Sequence, residues 1–155
     1  MPATQVSYVG LDMTLYYNTA TFATPTWVLI TNVRDLKHGQ SLGEADVSVR
    51  GPTSGAKRKL TEPLLIEDVF NWEMVYDETD TAFTALRGFK ENRTMVEFAF
   101  MNGPIATSGS SGFRCQCKIF GWEQEQPLEG PVTVSVTAKP CKLAGTNTPS
   151  YFTTP

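Results

Sequence analysis

Val132, Val134, Val136 and Ala138 alternate without a break with Thr133, Ser135, Thr137 and Lys139. A period of two sends one set to each side of a pleated strand, so this segment reads as a half-buried strand. The same period recurs along most of the chain. Residues 113–120 set Phe113, Cys115, Cys117 and Ile119 against Arg114, Gln116 and Lys118. Residues 94–102 put Val96, Phe98 and Phe100 on one side. Residues 64–76 give Phe70, Trp72, Met74 and Tyr76 a core face, and Glu67, Val69, Asn71, Glu73 and Val75 a mixed, acidic one. Shorter runs cover residues 12–18, 27–36 and 44–50, the last opposing Val47 and Val49 to Asp46, Ser48 and Arg50. Turn residues punctuate the pattern at Asn102-Gly103-Pro104, at 108–112 and at 126–131.

One segment departs from this period. Between residues 80 and 93 the apolar positions are Ala82, Phe83, Leu86 and Phe89, which is helical spacing. Asp77, Glu78, Thr79 and Asp80 precede it, where capping side chains and acids are favoured, and Arg87, Lys90 and Arg93 sit near its end. Gly88 costs this helix about 1 kcal/mol relative to alanine. Strands, then a helix at about 80–92, then strands again leave no βαβ alternation. The expected fold is therefore mainly β: an antiparallel β-sandwich or partly closed barrel with one flanking α-helix. A length of 155 residues suits a single domain. It is expected to span residues 1–141, with the Thr/Pro-rich 142–155 as a C-terminal arm or flexible tail.

Composition narrows the function classes. With 41% hydrophobic and 19% charged residues the chain is globular rather than disordered. A net charge of -3 argues against a general nucleic-acid binder. No apolar run approaches the ~20 residues that span a bilayer, so no membrane partner is expected. The first residues carry no basic and apolar leader pattern, and three cysteines make no disulfide framework, which suits folding in a reducing cytosol.

Catalytic patterns are sparse. His38 is the only histidine and falls in a polar stretch, Lys37-His38-Gly39-Gln40, that reads as an exposed turn. Cys115 and Cys117 share a strand face, and with only Cys141 to add they read as small core groups rather than metal ligands. Glu67, Glu73 and Asp77 lie roughly 13–20 Å apart along a strand, too far for a glycosidase pair. No phosphate-loop or dinucleotide fingerprint occurs. No catalytic, cofactor-binding or metal-binding residue is assigned, and no enzyme activity is expected.

The connection from Gly51 to Pro63 is longer than a β-hairpin needs, and it holds Lys57, Arg58 and Lys59 together. An arm of this kind between two strands is suited to gripping a partner.

The sequence resembles the major tail tube proteins of long-tailed bacteriophages. The resemblance rests on Asn32-Val33-Arg34-Asp35-Leu36, on the run from Gly43 through Glu44, Ala45, Asp46, Val47, Ser48, Val49 and Arg50 to Gly51, on the long strand at 64–77, on Asp80-x-Ala82-Phe83-x-x-Leu86, and on the closing strand at 132–140. It covers residues 11 to 140, and its specificity lies in the order and spacing of short motifs. It implies a virion structural protein whose copies form rings, six to a ring in the family. The rings stack into a hollow tube that delivers DNA. On that pattern the arm, made of Pro52, Thr53, Ser54, Gly55, Ala56, Lys57, Arg58, Lys59 and Leu60, reaches the adjacent ring, its basic residues pairing with acids there. Candidate lumen residues are Asp46, Ser48, Arg50, Glu67, Asn71 and Glu73, because a DNA conduit should present a neutral or acidic wall. Implied partners are other copies of the chain, tape-measure, tail-terminator and tail-tip proteins, and DNA in transit without specific binding. The implied location is the virion tail, assembled in the bacterial host cytoplasm. Two alternatives share the pattern: an inner tube of a contractile or secretion machine, and a carbohydrate-binding β-sandwich using Trp27, Trp72 or Trp122 as a stacking platform.

Overall fold

The computed structural model describes residues 10–46, 61–141 and 147–155. A single 3₁₀ turn, Gly10–Asp12, leads into β1 (Thr14–Asn18), β2 (Trp27–Leu29), β3 (Val33–Asp46), β4 (Thr61–Val75), α1 (Thr81–Glu91), β5 (Val96–Met101), β6 (Ser111–Glu125), β7 (Thr133–Pro140) and β8 (Ser150–Thr153). The strands pair antiparallel in the order β2-β1-β5-β6-β7-β4-β3, with β8 also on β6. At about 3.3 Å per residue, a strand as long as β6 runs for roughly 50 Å, enough to belong to two layers. Its residues 112–117 pair with β5 and residues 117–125 pair with β7. One layer is therefore β2-β1-β5 with the first half of β6 and β8. The other is the second half of β6 with β7, β4 and β3.

The layers meet through aromatic rings. Phe70 on β4 stacks on Phe100 on β5 at 4.3 Å, and Trp72 lies 5.3 Å from Phe98. Those strands are separated by two others in hydrogen-bonding order, so the sheet must fold over on itself, without closing. Leu15, Met74, Leu86, Val134, Val136, Cys115 and Cys117 complete the core, all essentially inaccessible. Each large apolar side chain so buried contributes about 1.5–3 kcal/mol. The cysteines sit as the sequence suggests: a hydrogen bond with Cys115, reinforced by burial, pushes the Cys117 thiol far above its ordinary range.

The helix is anchored at both ends. Asp80 caps it, accepting from the Ala82 amide at 2.7 Å while its other oxygen accepts from Asn32 and Thr31. The chain leaves it through Arg93 in the left-handed region, φ 53°. Phe83 packs on Tyr76 at 5.1 Å and Trp122 at 5.5 Å, and Phe89 meets Tyr17 at 5.7 Å. The helix thus closes the end of the sandwich where β4 finishes and β7 begins.

Three expectations change. The run at 27–36 is two strands, broken at Thr31 and Asn32. His38 is not in an exposed turn: it lies within β3 opposite Phe70, its ring 4.4 Å from Phe70 and 4.8 Å from Phe113. Its Nε2 is 2.9 Å from Asp68 Oδ1, which also accepts from Gln40 at 2.7 Å. The stretch is polar because β3 is an edge strand, and a buried carboxylate supplies the imidazole with its partner. The tail, expected as an arm or flexible end, carries β8, which pairs Ser150–Thr153 with Arg114–Ser111. Phe152 stacks on Trp27, and the Thr154 hydroxyl donates to the Thr107 carbonyl at 2.6 Å. Beneath it Glu97, 4% exposed, accepts from Asn18 and Arg114, and the Arg114 guanidinium lies 3.8 Å over Phe22.

Two glycines should respond oppositely to alanine. A Cβ on Gly88 meets nothing within 4 Å, so Gly88→Ala should raise the free energy of unfolding by about 0.5–1 kcal/mol. A Cβ on Gly112 overlaps the Phe100 carbonyl oxygen and the Met101 sulfur, so Gly112→Ala should lower it by about 1–3 kcal/mol. Urea unfolding of the two variants measures both signs.

Candidate assembly surface

β4 pairs with β7 only from Phe70 to Val75. Beyond that point, among the described residues, β4 has β3 alone for a strand partner, through the register Gly39↔Val69 to Asp46↔Thr61. Residues 39–46 and 61–69 therefore form a two-stranded ribbon that leaves the body of the sandwich. Pro63 is tolerated inside it because no third strand lies alongside. The sequence reading began the arm at Gly51 and the strand at Leu64. The strand instead begins at Thr61, so the arm stands on a hydrogen-bonded ribbon rather than on a loop. Pro52, Thr53, Ser54, Gly55, Ala56, Lys57, Arg58, Lys59 and Leu60 lie outside the described residues, as do Ser48 and Arg50.

The ribbon is apolar and wet. Leu42, Leu64 and Ile66 are 56%, 58% and 62% exposed, and Leu65 is 85% exposed. Leu42 and Ile66 are cross-strand partners, continuing the line of His38 and Phe70, whereas Leu65 falls on the opposite side with Glu67. An isolated two-stranded ribbon is marginal in water, and contiguous exposed apolar surface marks an interaction site. At its base a groove of about 630 Å³ is lined by Gly43, Leu64, Leu65, Ile66, Glu67, Asp68, Lys139 and Pro140.

The outward face of the second layer is polar across its strands. The registers align Lys37, Asn71, Thr137 and Gly121 in one row, and Glu73, Ser135 and Glu123 in the next. The Thr137 hydroxyl donates to Asn71 at 2.8 Å. Glu67 lies 3.3 Å from Lys139, and Glu73 lies 3.9 Å from Arg34. Of the candidate lumen residues, Glu67, Asn71 and Glu73 share this face, and Asp46 is exposed at the far end of the ribbon. Lys37, Lys118 and Lys139 share this face with the acids and Arg34 lies beside Glu73, and the paired charges contribute at most about 1 kcal/mol each.

Among the described residues this layer ends in an open edge on both sides. β3 is terminal in the strand order. On β6, the pairing with β5 stops at Cys117, so among the described residues no strand lies against 119–125 on the side away from β7. A bulge occurs there between Ile119 and Gly121, leaving Phe120 65% exposed. Unpaired edges of this kind invite a strand from another chain.

The tryptophans offer no sugar platform. Trp72 is buried, Trp27 stacks on Phe152, and Trp122 packs on Phe83. Among the described residues no three His, Cys, Asp or Glu side chains cluster as metal ligands.

Solved structures share this architecture. The chain superposes on a subunit of the tail of an empty gene transfer agent particle, refined with C6 symmetry, with TM-score 0.68, 13% identity, and coverage of 94% of this chain and 99% of that one. A subunit of the SPP1 tail tube matches with TM-score 0.62 and 16% identity, over 86% of this chain and 75% of that one. A subunit of the anti-feeding prophage baseplate, 6-fold symmetrised, matches with TM-score 0.56 and 8% identity over 99% of both chains. No family model and no curated relative matches the sequence. The chain therefore shares the fold of these tail and baseplate subunits.

If the ribbon is apolar for a partner's sake, polar substitution there should not harm the subunit itself. Leu65→Ser and Ile66→Ser should leave the unfolding free energy within about 0.5 kcal/mol of the parent. Binding of a hydrophobic dye to unassembled protein should fall.

Proposed function

We propose that this chain is a virion structural protein, the repeating subunit of a phage-type tail tube. Copies assemble head to tail into rings, and the rings stack into a hollow tube that conducts DNA. The observation that carries the reading is a polar sheet whose two edges are open among the described residues, joined to a ribbon whose Leu42, Leu64, Leu65 and Ile66 are exposed. The first device suits ring closure: the β3 edge of one copy meets the 119–125 edge of β6 on the next. Four strands per copy then continue into one barrel, and the sheet has no edge left. The second device suits stacking: heterologous contacts along an axis extend an assembly instead of closing it. Two of the structures with this fold have six-fold symmetry, which suits a ring of six. The same fold also occurs in a baseplate subunit, but the tail structures superpose more closely, at 0.68 and 0.62 against 0.56, which favours a tube.

In this arrangement the balanced polar face of β3, β4, β7 and β6 lines the lumen. DNA carries dense charge, and a cationic wall would hold it by releasing its counterions. Here Lys139 lies beside Glu67 and Arg34 beside Glu73, so the acids at the lumen candidates offset those cations and weaken any cationic track. The protein is placed in the virion tail, assembled in the bacterial host cytoplasm. Its neighbours are further copies, a tape-measure protein in the lumen, and terminator and tip proteins at the tube ends. Its role requires no cofactor and no catalytic step.

Electron microscopy of the concentrated protein tests the reading: rings or tubes of constant diameter are expected, and strict monomers at all concentrations would sink it. Deleting residues 56–60 should leave rings but prevent long tubes; tubes of parental length would remove the arm from the stacking contact. Glu67→Lys combined with Glu73→Lys places new lysines beside Lys139 and Arg34. Tubes should still form while DNA ejection slows, and normal ejection would show that this face is not the wall.

A further inference from the structure

The groove at the base of the ribbon and the β6–β7 turn lie at opposite ends of one strand. Lys139 and Pro140, at the end of β7, line the groove, and Pro131 and Val132 lead into its start. β7 has eight residues, which at about 3.3 Å each separate the two features by roughly 26 Å along the sheet. The turn is Gln126-Pro127-Leu128-Glu129-Gly130-Pro131. Prolines at both shoulders limit its freedom, and Gly130, at φ +129°, takes the backbone conformation that the reversal requires. At the tip Leu128 is 102% exposed, so its own chain covers none of it. A bare leucine on a braced turn is a preorganised anchor.

We infer that Leu128 of one copy seats in the groove formed by Gly43, Leu64, Leu65, Ile66 and Pro140 of the copy in the next ring, with Glu129 meeting Lys139 at the rim. This inference rests on the proposed tube. Knob and hole suit each other in chemistry and in placement. The groove is walled by leucine, isoleucine and proline side chains, its rim holds a lysine that is 42% exposed, and the turn offers an apolar tip followed directly by an acid. Because they face opposite ways along β7, the contact repeats without end when copies stack, and it cannot satisfy itself within one copy. It also gives the ribbon's exposed leucines a cover.

Leu128→Asp tests the contact directly. The residue touches nothing in its own subunit, so the thermal midpoint of unassembled protein should match the parent. Rings should form, while the concentration needed for tube growth should rise about tenfold or more, as expected when an anchor at a repeated interface is lost. Leu128→Met should restore growth. Pairing Leu128→Cys with Leu65→Cys should give a disulfide ladder in tubes under mild oxidation, absent from isolated rings and from either single variant. Parental tube growth by Leu128→Asp, or no ladder in intact tubes, overturns the contact while leaving the tube reading standing. If the parent chain itself forms no tubes, the reading and the contact fall together.

Discussion

β6 is the member on which the two layers depend. Its first half completes the layer of β1 and β5 and its second half completes the layer of β7 and β4, so no flexible joint lies between them. Sharing one strand forces the layers to diverge along its length, and the Phe70–Phe100 stack, with His38 beside it, fills the space that opens. Gly112 lets β6 lie close against Phe100 and Met101, and the bulge before Gly121 turns the second half toward β7. The two faces of β6 therefore take their partners from opposite sides of the core. The helix is then needed at one end only, where Phe83 covers Trp122.

The subunit buries what it needs and leaves other groups for neighbours. Within the sandwich, polar groups are matched closely: Glu97 satisfies Asn18 and Arg114, and Asp68 satisfies His38 and Gln40. On the ribbon the same chain exposes Leu42, Leu64, Leu65 and Ile66. A protein that tolerates almost no unmatched polarity inside while presenting that much apolar surface outside is shaped by an assembled state.

What the sequence revealed depended on periodicity. β7, the core face of β4 and the helix were legible because each buries one side against a large core, which imposes an unbroken pattern on consecutive residues. Asp80 and the cysteines followed from local chemistry in the same way. Elements at edges carry no such imprint. β3 is half-solvated over most of its length, so His38 and Gly39 looked like a turn. β8 is held by backbone pairing with β6, by Phe152 on Trp27 and by Tyr151 against Phe113, too few contacts to leave a repeat in a Thr/Pro-rich segment. The strand at 61–63 was hidden because Pro63 argues against a strand unless no third strand is present. Leu128 had no signal at all, since one exposed leucine in a turn is ordinary until its place opposite a groove is known.

Exposed apolar strands threaten a free subunit as much as they could serve an assembled one, because a surface that can pair with a neighbouring copy can also aggregate. The ribbon answers with charge. Glu44, Glu62 and Glu67 are interspersed among its leucines, and Pro63 interrupts it. In a chain of net charge -3 these acids lie where unassembled copies would first touch, so random ribbon-to-ribbon contact opposes like charges. Docking onto a surface that supplies a cation removes that opposition, whereas Glu67 already has Lys139 of its own subunit beside it. The charges that slow unwanted association thereby discriminate between a second ribbon and the correct face of a neighbouring copy.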